Sequence, residues 1–207
     1  MSRQILVRPA TPADAEVGVR LIYMTMRRLA DFLLGSGDSQ RAKVSLSGLF
    51  VQHQNRFSHQ FADIAEMDGR VVGLLMSYPS KMMKRLETPM VFQMLKILGF
   101  ADFIRFVRNA LPLSLIKEAG AGEHFINNVA VLPDFQGRGV GTHLLAFAEG
   151  KAKSAKLGIC SLCVEIENVG ARSLYERLGY RMVDTVRFKR LNYSIGYQGF
   201  HRMAKIL

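Results

Sequence analysis

The stretch of this chain best equipped for chemistry is Gln136-Gly137-Arg138-Gly139-Val140-Gly141-Thr142. An apolar, β-rich run from Phe125 to Leu132 leads into it, and a helical pattern (Leu144, Leu145, Phe147, Ala148, Ala152) leads out. The glycines therefore sit where a strand hands over to a helix. The first turn of a helix carries backbone N–H groups with no internal partner, and the helix dipole adds partial positive charge there. Gly139 and Gly141 remove side chains that would hold a bulky anion away, and Arg138 adds a full positive charge. Such a loop serves either as a tight turn or as a cradle for phosphate oxygens. Two other cradles are excluded by spacing. No Lys-Ser or Lys-Thr follows the last glycine, so this is not a P-loop, and the glycines do not fit G-x-G-x-x-G.

The elements that must position the loop are legible on both sides of it. Ile5 to Arg8 is a short strand closed by Pro9. Thr11, Pro12 and Asp14 then supply an N-cap, a first helical position and a first-turn acid, predicting a helix to Leu34. Gly35-Ser36-Gly37-Asp38 stops it, and a second helix is expected over roughly 39–53. Gln60 to Met67 and Val71 to Tyr78 read as strands joined by an Asp68-Gly69 hairpin turn. After the loop, a helix runs from about Arg138 to Lys156 with Gly158 as its end. Cys160 to Glu165 is a strand and Val169 to Leu178 a short helix stopped by Gly179. Tyr180 to Phe188 and Phe200 to Ile206 are closing strands joined by an irregular stretch. His53 and His59 are open to two readings, substrate contacts or structural residues.

Residues 80–120 are unusual: one or two helices, apolar over more than one face, with sparse Lys and Arg. They suit a lid or wall over a cleft, a dimer contact or an amphipathic element on a membrane surface.

Bulk properties narrow the class. The chain has 207 residues, 49% of them hydrophobic, enough for one globular domain with a sizeable core. Cys160 and Cys163 are its only cysteines, too few for a disulfide framework, so a reducing, cytoplasmic setting is expected. They do not make a metal site without a second pair or suitably spaced histidines. On a strand the two thiols also point to opposite faces, which favours buried small residues. The net charge of +11 is scattered rather than clustered, and no nucleic-acid motif accompanies it. The opening residues lack the apolar core of a signal peptide, and no charge-free apolar run approaches the ~20 residues that span a bilayer.

Gln136-x-x-Gly139-x-Gly141 resembles the acyl-CoA signature of the GNAT superfamily of N-acyltransferases. Asn127 to Phe135 is similar to that family's fourth strand and its exit. Glu167-Asn168, Ala171 and Leu174-Tyr175-Glu176-Arg177-Leu178-Gly179-Tyr180 resemble its second conserved block. The resemblance is strong over roughly 123–188 and loose over 1–79. It implies an α/β fold with a mixed, twisted, splayed central sheet flanked by helices, in a single domain 1–207 with a helical insertion at about 80–120. It implies acetyl-CoA as co-substrate, an amine acceptor and no metal. The splay would leave backbone groups of Val129, Ala130 and Val131 to bond the pantetheine arm, while the amides from Gly137 to Thr142 would hold the pyrophosphate. Asn168 matches the family asparagine that bonds the cofactor arm, and it also reads as a helix N-cap.

Acyl transfer to nitrogen needs a route for the amine proton, a donor to the carbonyl oxygen and a proton for the leaving sulfur. The backbone N–H of Val131 could be that donor. Tyr175 stands where the family places its tyrosine acid, and a phenol is protonated at neutral pH; it also reads as a core residue beside Leu174 and Leu178. The base is open. In a branch acting on a ribosomal protein, a glutamate lies five residues before the asparagine; here that position is Cys163, which counts against that acceptor. Glu165 is two residues on and on the same face. Glu123, His124 or a water relay are alternatives. The implied activity is acetyl transfer from acetyl-CoA to a primary amine of a small molecule, peptide or protein. A noncatalytic CoA-binding module that engages a partner through 80–120 is the other reading, and a homodimer is compatible with both.

Overall fold

The computed structural model describes residues 4–114 and 116–207. Met1, Ser2 and Arg3 at the start of the N-terminal reading, and Leu115 in the 80–120 segment, lie outside them. The first strand, β1 (Ile5–Pro9), ends at a proline and passes through a short 3₁₀ turn (Pro12–Asp14) into α1 (Ala15–Leu34). The Thr11 N–H donates to the Asp14 carboxylate at 2.7 Å, and Arg8 grips both oxygens of that carboxylate at 2.8 and 2.9 Å. Those contacts fix the entry angle of α1. Gly35 stops α1, and α2 (Ser39–Val51) starts under an Asp38 cap.

A hairpin follows, β2 (Ala62–Met67) and β3 (Arg70–Pro79). Asp68 and Gly69 turn it with φ of 52° and 71°. That left-handed pair matches the twist of the flanking strands. The 80–120 segment is α3 (Met83–Leu98) and α4 (Phe100–Ser114), hinged at Gly99. Next come β4 (His124–Val131), α5 (Val140–Ser154), β5 (Ile159–Glu165) and α6 (Val169–Arg177). The chain closes with β6 (Arg181–Arg187), α7 (Lys189–Ile195) and β7 (Gly199–Ile206).

Two expectations are corrected. The expected irregular link between the last strands contains the helix α7, which ends at Gly196 in the left-handed region. And α5 stops at Ser154 rather than near Gly158, because Lys156 itself turns left-handed at φ 56°. Lys151, at that end, bonds Asp63 on β2 at 2.7 Å.

All strands join one sheet in the order β1-β2-β3-β4-β5-β7-β6, antiparallel except for β4 beside β5. Alternation along β3 sends Leu74 and Met76 to a core under α1 and α2, and Leu75 to a second core under α5 and α6. Helices on both faces of one sheet are the layered α/β arrangement the sequence implies.

Candidate active site

Two strands that should run side by side come apart in the middle of the sheet. β4 pairs with β5 only through His124, Phe125 and Ile126. From Cys163 onward β5 pairs with β7 alone, while β4 keeps its partners on β3 up to Val131. The Leu132 N–H bonds the Val72 carbonyl at 2.9 Å. In a regular ladder amides alternate sides, so Ala130 turns its backbone to β3, and Val129 and Val131 turn theirs into the split.

The glycine loop closes one end of the split. Gly137 and Gly139 have φ of 73° and 83°, a conformation that costs a side-chain-bearing residue about 1–2 kcal/mol. An added Cβ would meet nothing within 4 Å at either position. Backbone conformation, not crowding, therefore demands glycine at both. Gly139 is the N-cap of α5 and offers no side chain to the first-turn amides of Val140, Gly141 and Thr142. Gly141 behaves differently from expectation: a Cβ there would lie 3.5 Å from Leu174, an ordinary contact. Gln136 folds back to donate to the Val131 carbonyl at 3.1 Å. Arg138 packs over the Phe135 ring at 5.3 Å and does not line the cleft.

Split and loop open into one cavity of about 1100 Å³, lined by Val129 to Val131, Gln136, Gly137, Gly139 to Thr142, Glu165, Asn168 and Tyr175. Tyr175 is 7% exposed, its hydroxyl makes no hydrogen bond among the described residues, and burial pushes its pKa up to about 12. Asn168 is the N-cap of α6, its Oδ1 accepting from the Ala171 N–H at 3.1 Å. Its Nδ2 bonds nothing among the described residues, so capping and a ligand contact are compatible.

Glu165 has no ion-pair partner among the described residues. Burial, then the neighbouring Glu167, raise its pKa against a smaller pull from Arg28. Glu123 and His124, the other base candidates, are not on the cavity wall. Glu123 is tied to Arg202 and the Gly120 N–H, and both His124 ring nitrogens are buried without partners, its pKa lowered by burial to about 4. His59 is structural: its Nδ1 meets the Phe50 carbonyl at 2.8 Å.

Sequence reasoning missed a polar network at the opposite end of the cavity. Arg56 pairs with Glu118 at 2.6 Å and donates to Asn127 Oδ1 at 3.0 Å. The buried Tyr78 hydroxyl donates to the same oxygen at 3.0 Å. Asn127 itself donates to Asn128, which bonds Thr25 on α1. At Met26 the backbone leaves helical geometry (φ −142°), and the Thr25 hydroxyl satisfies the Ile22 carbonyl at 2.7 Å. This kink turns Met24, Thr25 and Met26 to the cavity wall. The one available signal was the pair Asn127-Asn128, polar residues inside the otherwise apolar run from Phe125 to Val131.

Within the described residues, no group of three or more His, Cys, Asp or Glu could hold a metal ion. No helix there is long and apolar enough to cross a membrane. Cys160 is buried in the core, and Cys163 lines the cavity, its Sγ 3.6 Å from the Glu118 carbonyl. The uncapped α5 amides, the open space at Gly137 and Gly139, and the unpaired edge of β4 fit a long, anionic thioester carrier.

A sequence model of the Acetyltransferase (GNAT) family matches residues 30–180. The chain belongs to that family. As a GNAT acetyltransferase it is an acyltransferase by class. An uncharacterised N-acetyltransferase of Methanocaldococcus jannaschii is 42% identical over 62 residues, a match covering 30% of this chain and 27% of that protein. An N-acetyltransferase from Staphylococcus aureus Mu50 superposes with a TM-score of 0.73 at 21% identity, covering 96% of this chain and 99% of its own. The PaiA N-acetyltransferase of Thermoplasma acidophilum, solved with coenzyme A, gives 0.55 at 16% identity and covers 99% of both chains. At these identities the two structures speak to the GNAT fold alone.

Proposed function

We propose that this GNAT acetyltransferase moves an acetyl group from acetyl-CoA directly to a primary amine, both substrates bound at once in the β4–β5 split. The carrying observation is the coincidence, in one cavity, of that unpaired strand edge, the uncapped start of α5 and a buried tyrosine with a free hydroxyl. Acetyl-CoA would supply an activated thioester carbonyl. The amides of Val140, Gly141 and Thr142 hold its pyrophosphate, with Gln136, Gly137 and Gly139 shaping the approach. Val129 and Val131 align the arm through backbone bonds, and the Asn168 amide steadies it from the other wall. Arg138, packed over Phe135, contributes its charge from outside the cleft.

Glu165 takes a proton from the incoming ammonium, directly or through water, so the lone pair is free to attack. The Val131 N–H points into the split, where the carbonyl oxygen gains negative charge. Tyr175 gives its proton to the departing sulfur. Over the whole step a C–N bond forms and the C–S bond breaks. Of the two protons the ammonium loses, one ends on sulfur and one passes to solvent.

A thermal melt with and without excess acetyl-CoA tests binding. At a hundredfold excess over Kd the ligand adds roughly 2.7 kcal/mol. No upward shift in Tm would remove the reading. Transfer itself is checked by CoA release in the presence of amines.

A further inference from the structure

The far end of the cavity differs in character from the end that fits the carrier. There α1, α3 and α4 supply an apolar wall, Met24, Leu29, Leu33, Met90, Phe106 and Leu111, beside the Arg56–Glu118–Asn127 network. The charges on the cavity wall run against the rest of the molecule. The chain is net +11, yet three carboxylates, Glu87, Glu118 and Glu165, face the cavity against Arg56 and Arg177. Glu118 is bonded to Arg56, and Arg177 stands on α6 with the carrier-binding residues. Glu87 and Glu165 have no ion-pair partner among the described residues. The cavity thus sets an apolar wall beside carboxylates that outnumber its arginines, three to two.

We infer that the acceptor is an amphipathic amine: an ammonium head drawn in by Glu87 and Glu165, and an aliphatic or aromatic body seated between α1, α3 and α4. This inference rests on the proposed acetyl transfer. A polar polyamine would lay its hydrated linkers along Met and Phe side chains and lose hydration there. A lysyl peptide would put backbone amides there at the same cost. An aliphatic chain instead gains from each methylene it buries. Methionines on α1 and α3 (Met24, Met26, Met83, Met90) let the chamber adjust to bodies of different shape. Acetylation cancels the charge that recruits the amine, so the neutral amide loses its hold on the carboxylates and leaves more readily.

The rival occupant is a long acyl chain on the thioester, and one experiment separates the two. CoA release by the full chain is measured with acetyl-CoA against butylamine, hexylamine, octylamine, 2-phenylethylamine, spermidine and a lysine-containing peptide, and with octanoyl-CoA against butylamine. Expected are a kcat/KM rising roughly fourfold per methylene buried and octylamine exceeding spermidine and the peptide at least tenfold. Leu111→Glu should lower kcat/KM for octylamine at least tenfold and leave the KM for acetyl-CoA unchanged. Leu111 is 62% exposed, so the substitution does not open the core. Glu87→Gln should raise the KM for every apolar amine severalfold.

A preference for spermidine or peptide overturns the inference. So does a Leu111→Glu effect on octanoyl-CoA with none on octylamine. If acetyl-CoA binds normally while apolar amines gain nothing, this inference alone fails. If acetyl-CoA does not bind, the transfer reading fails and takes this one with it.

Discussion

Asn127 is the residue of β4 that has no partner on β3, and its amide oxygen takes the hydroxyl proton of Tyr78 at 3.0 Å. The ladder steps from Met76↔Asn128 to Ser77↔Ile126, so Asn127 is a bulge. Bulges bend strands and re-aim side chains beside functional sites. This one lies at the point where β4 and β5 part, and it directs Asn127 onto Arg56 as well. The same residue therefore marks the split and anchors the polar end of the cavity.

Asn127→Ala should consequently destabilise the fold. It leaves the Tyr78 hydroxyl, 1% exposed, and the Arg56 guanidinium each short of an acceptor. An unsatisfied buried donor costs about 1–3 kcal/mol, which for a chain of this size lowers Tm by roughly 3–9 °C. A melt within 1 °C of the parent would show that the network adds nothing.

Tyr175→Phe should separate chemistry from folding. The hydroxyl has no hydrogen-bond partner to lose, so Tm should stay within about 2 °C. As proton donor it should account for roughly 10²–10⁴ in rate, with acetyl-CoA Kd unchanged by calorimetry. The phenol is pushed up to about 12, so it keeps its proton throughout the accessible basic range. No basic limb from Tyr175 is therefore expected below that pH. Unchanged kcat in the Phe variant would transfer the role to water.

The cradle, the hairpin at Asp68-Gly69 and the Thr11-Pro12-Asp14 helix start were readable because each is a local contract between neighbours in sequence. The splay was readable only through the resemblance, since nothing in Val129 to Val131 by itself says that a strand loses its partner. The Arg56–Glu118 pair was not readable at all. Arg56 sits in an irregular link after α2, Glu118 in another after α4, and only the fold brings them together. α7 escapes sequence reasoning because it is short: its 7 residues hold a single i, i+4 apolar pair, Leu191 and Ile195, and the left-handed Gly196 that ends it reads equally well as a loop glycine.

Glu165→Gln reports on the base. Burial raises this carboxyl above the ordinary range near 4.3. A base must be deprotonated, so kcat/KM should fall as pH drops through that raised value. The acid limb should lie above the usual carboxylate range and vanish in Glu165→Gln, with a loss of about 10²-fold at neutral pH. A limb retained unchanged in the variant would point to the amine's own ionisation.

Asp14 governs stability in acid. The Arg8 guanidinium, then the Thr11 N–H and hydroxyl, hold its carboxyl well below the usual range against the opposing effect of burial. A depressed folded-state pKa means stability fully present above about 4 and lost as pH falls towards the folded value. Asp14→Asn should lower Tm at pH 7 by an amount corresponding to on the order of 2 kcal/mol. The gap between parent and variant should begin to narrow below about pH 4 and close only as pH reaches the depressed folded-state value. A constant gap between them down to pH 2 would argue that packing, not charge, holds the start of α1.

Gly139→Ala and Gly141→Ala should part company, because the two glycines serve different ends. Gly139 holds φ 83°, which an alanine adopts at about 1–2 kcal/mol; relaxing that strain tilts the first turn of α5 and misaims its amides. Acetyl-CoA affinity should fall about tenfold or more. Gly141 is inside α5 with ordinary helical geometry, and a methyl there meets Leu174 at 3.5 Å and Val131 at 3.8 Å. Alanine costs nothing in backbone strain there and narrows the unfolded ensemble, adding up to about 1 kcal/mol. If Gly141→Ala nevertheless abolished acetyl-CoA binding while raising Tm, the carrier must pass closer to that Cα than the cavity wall implies. Equal, mild effects at both positions would remove the α5 amides from the binding site.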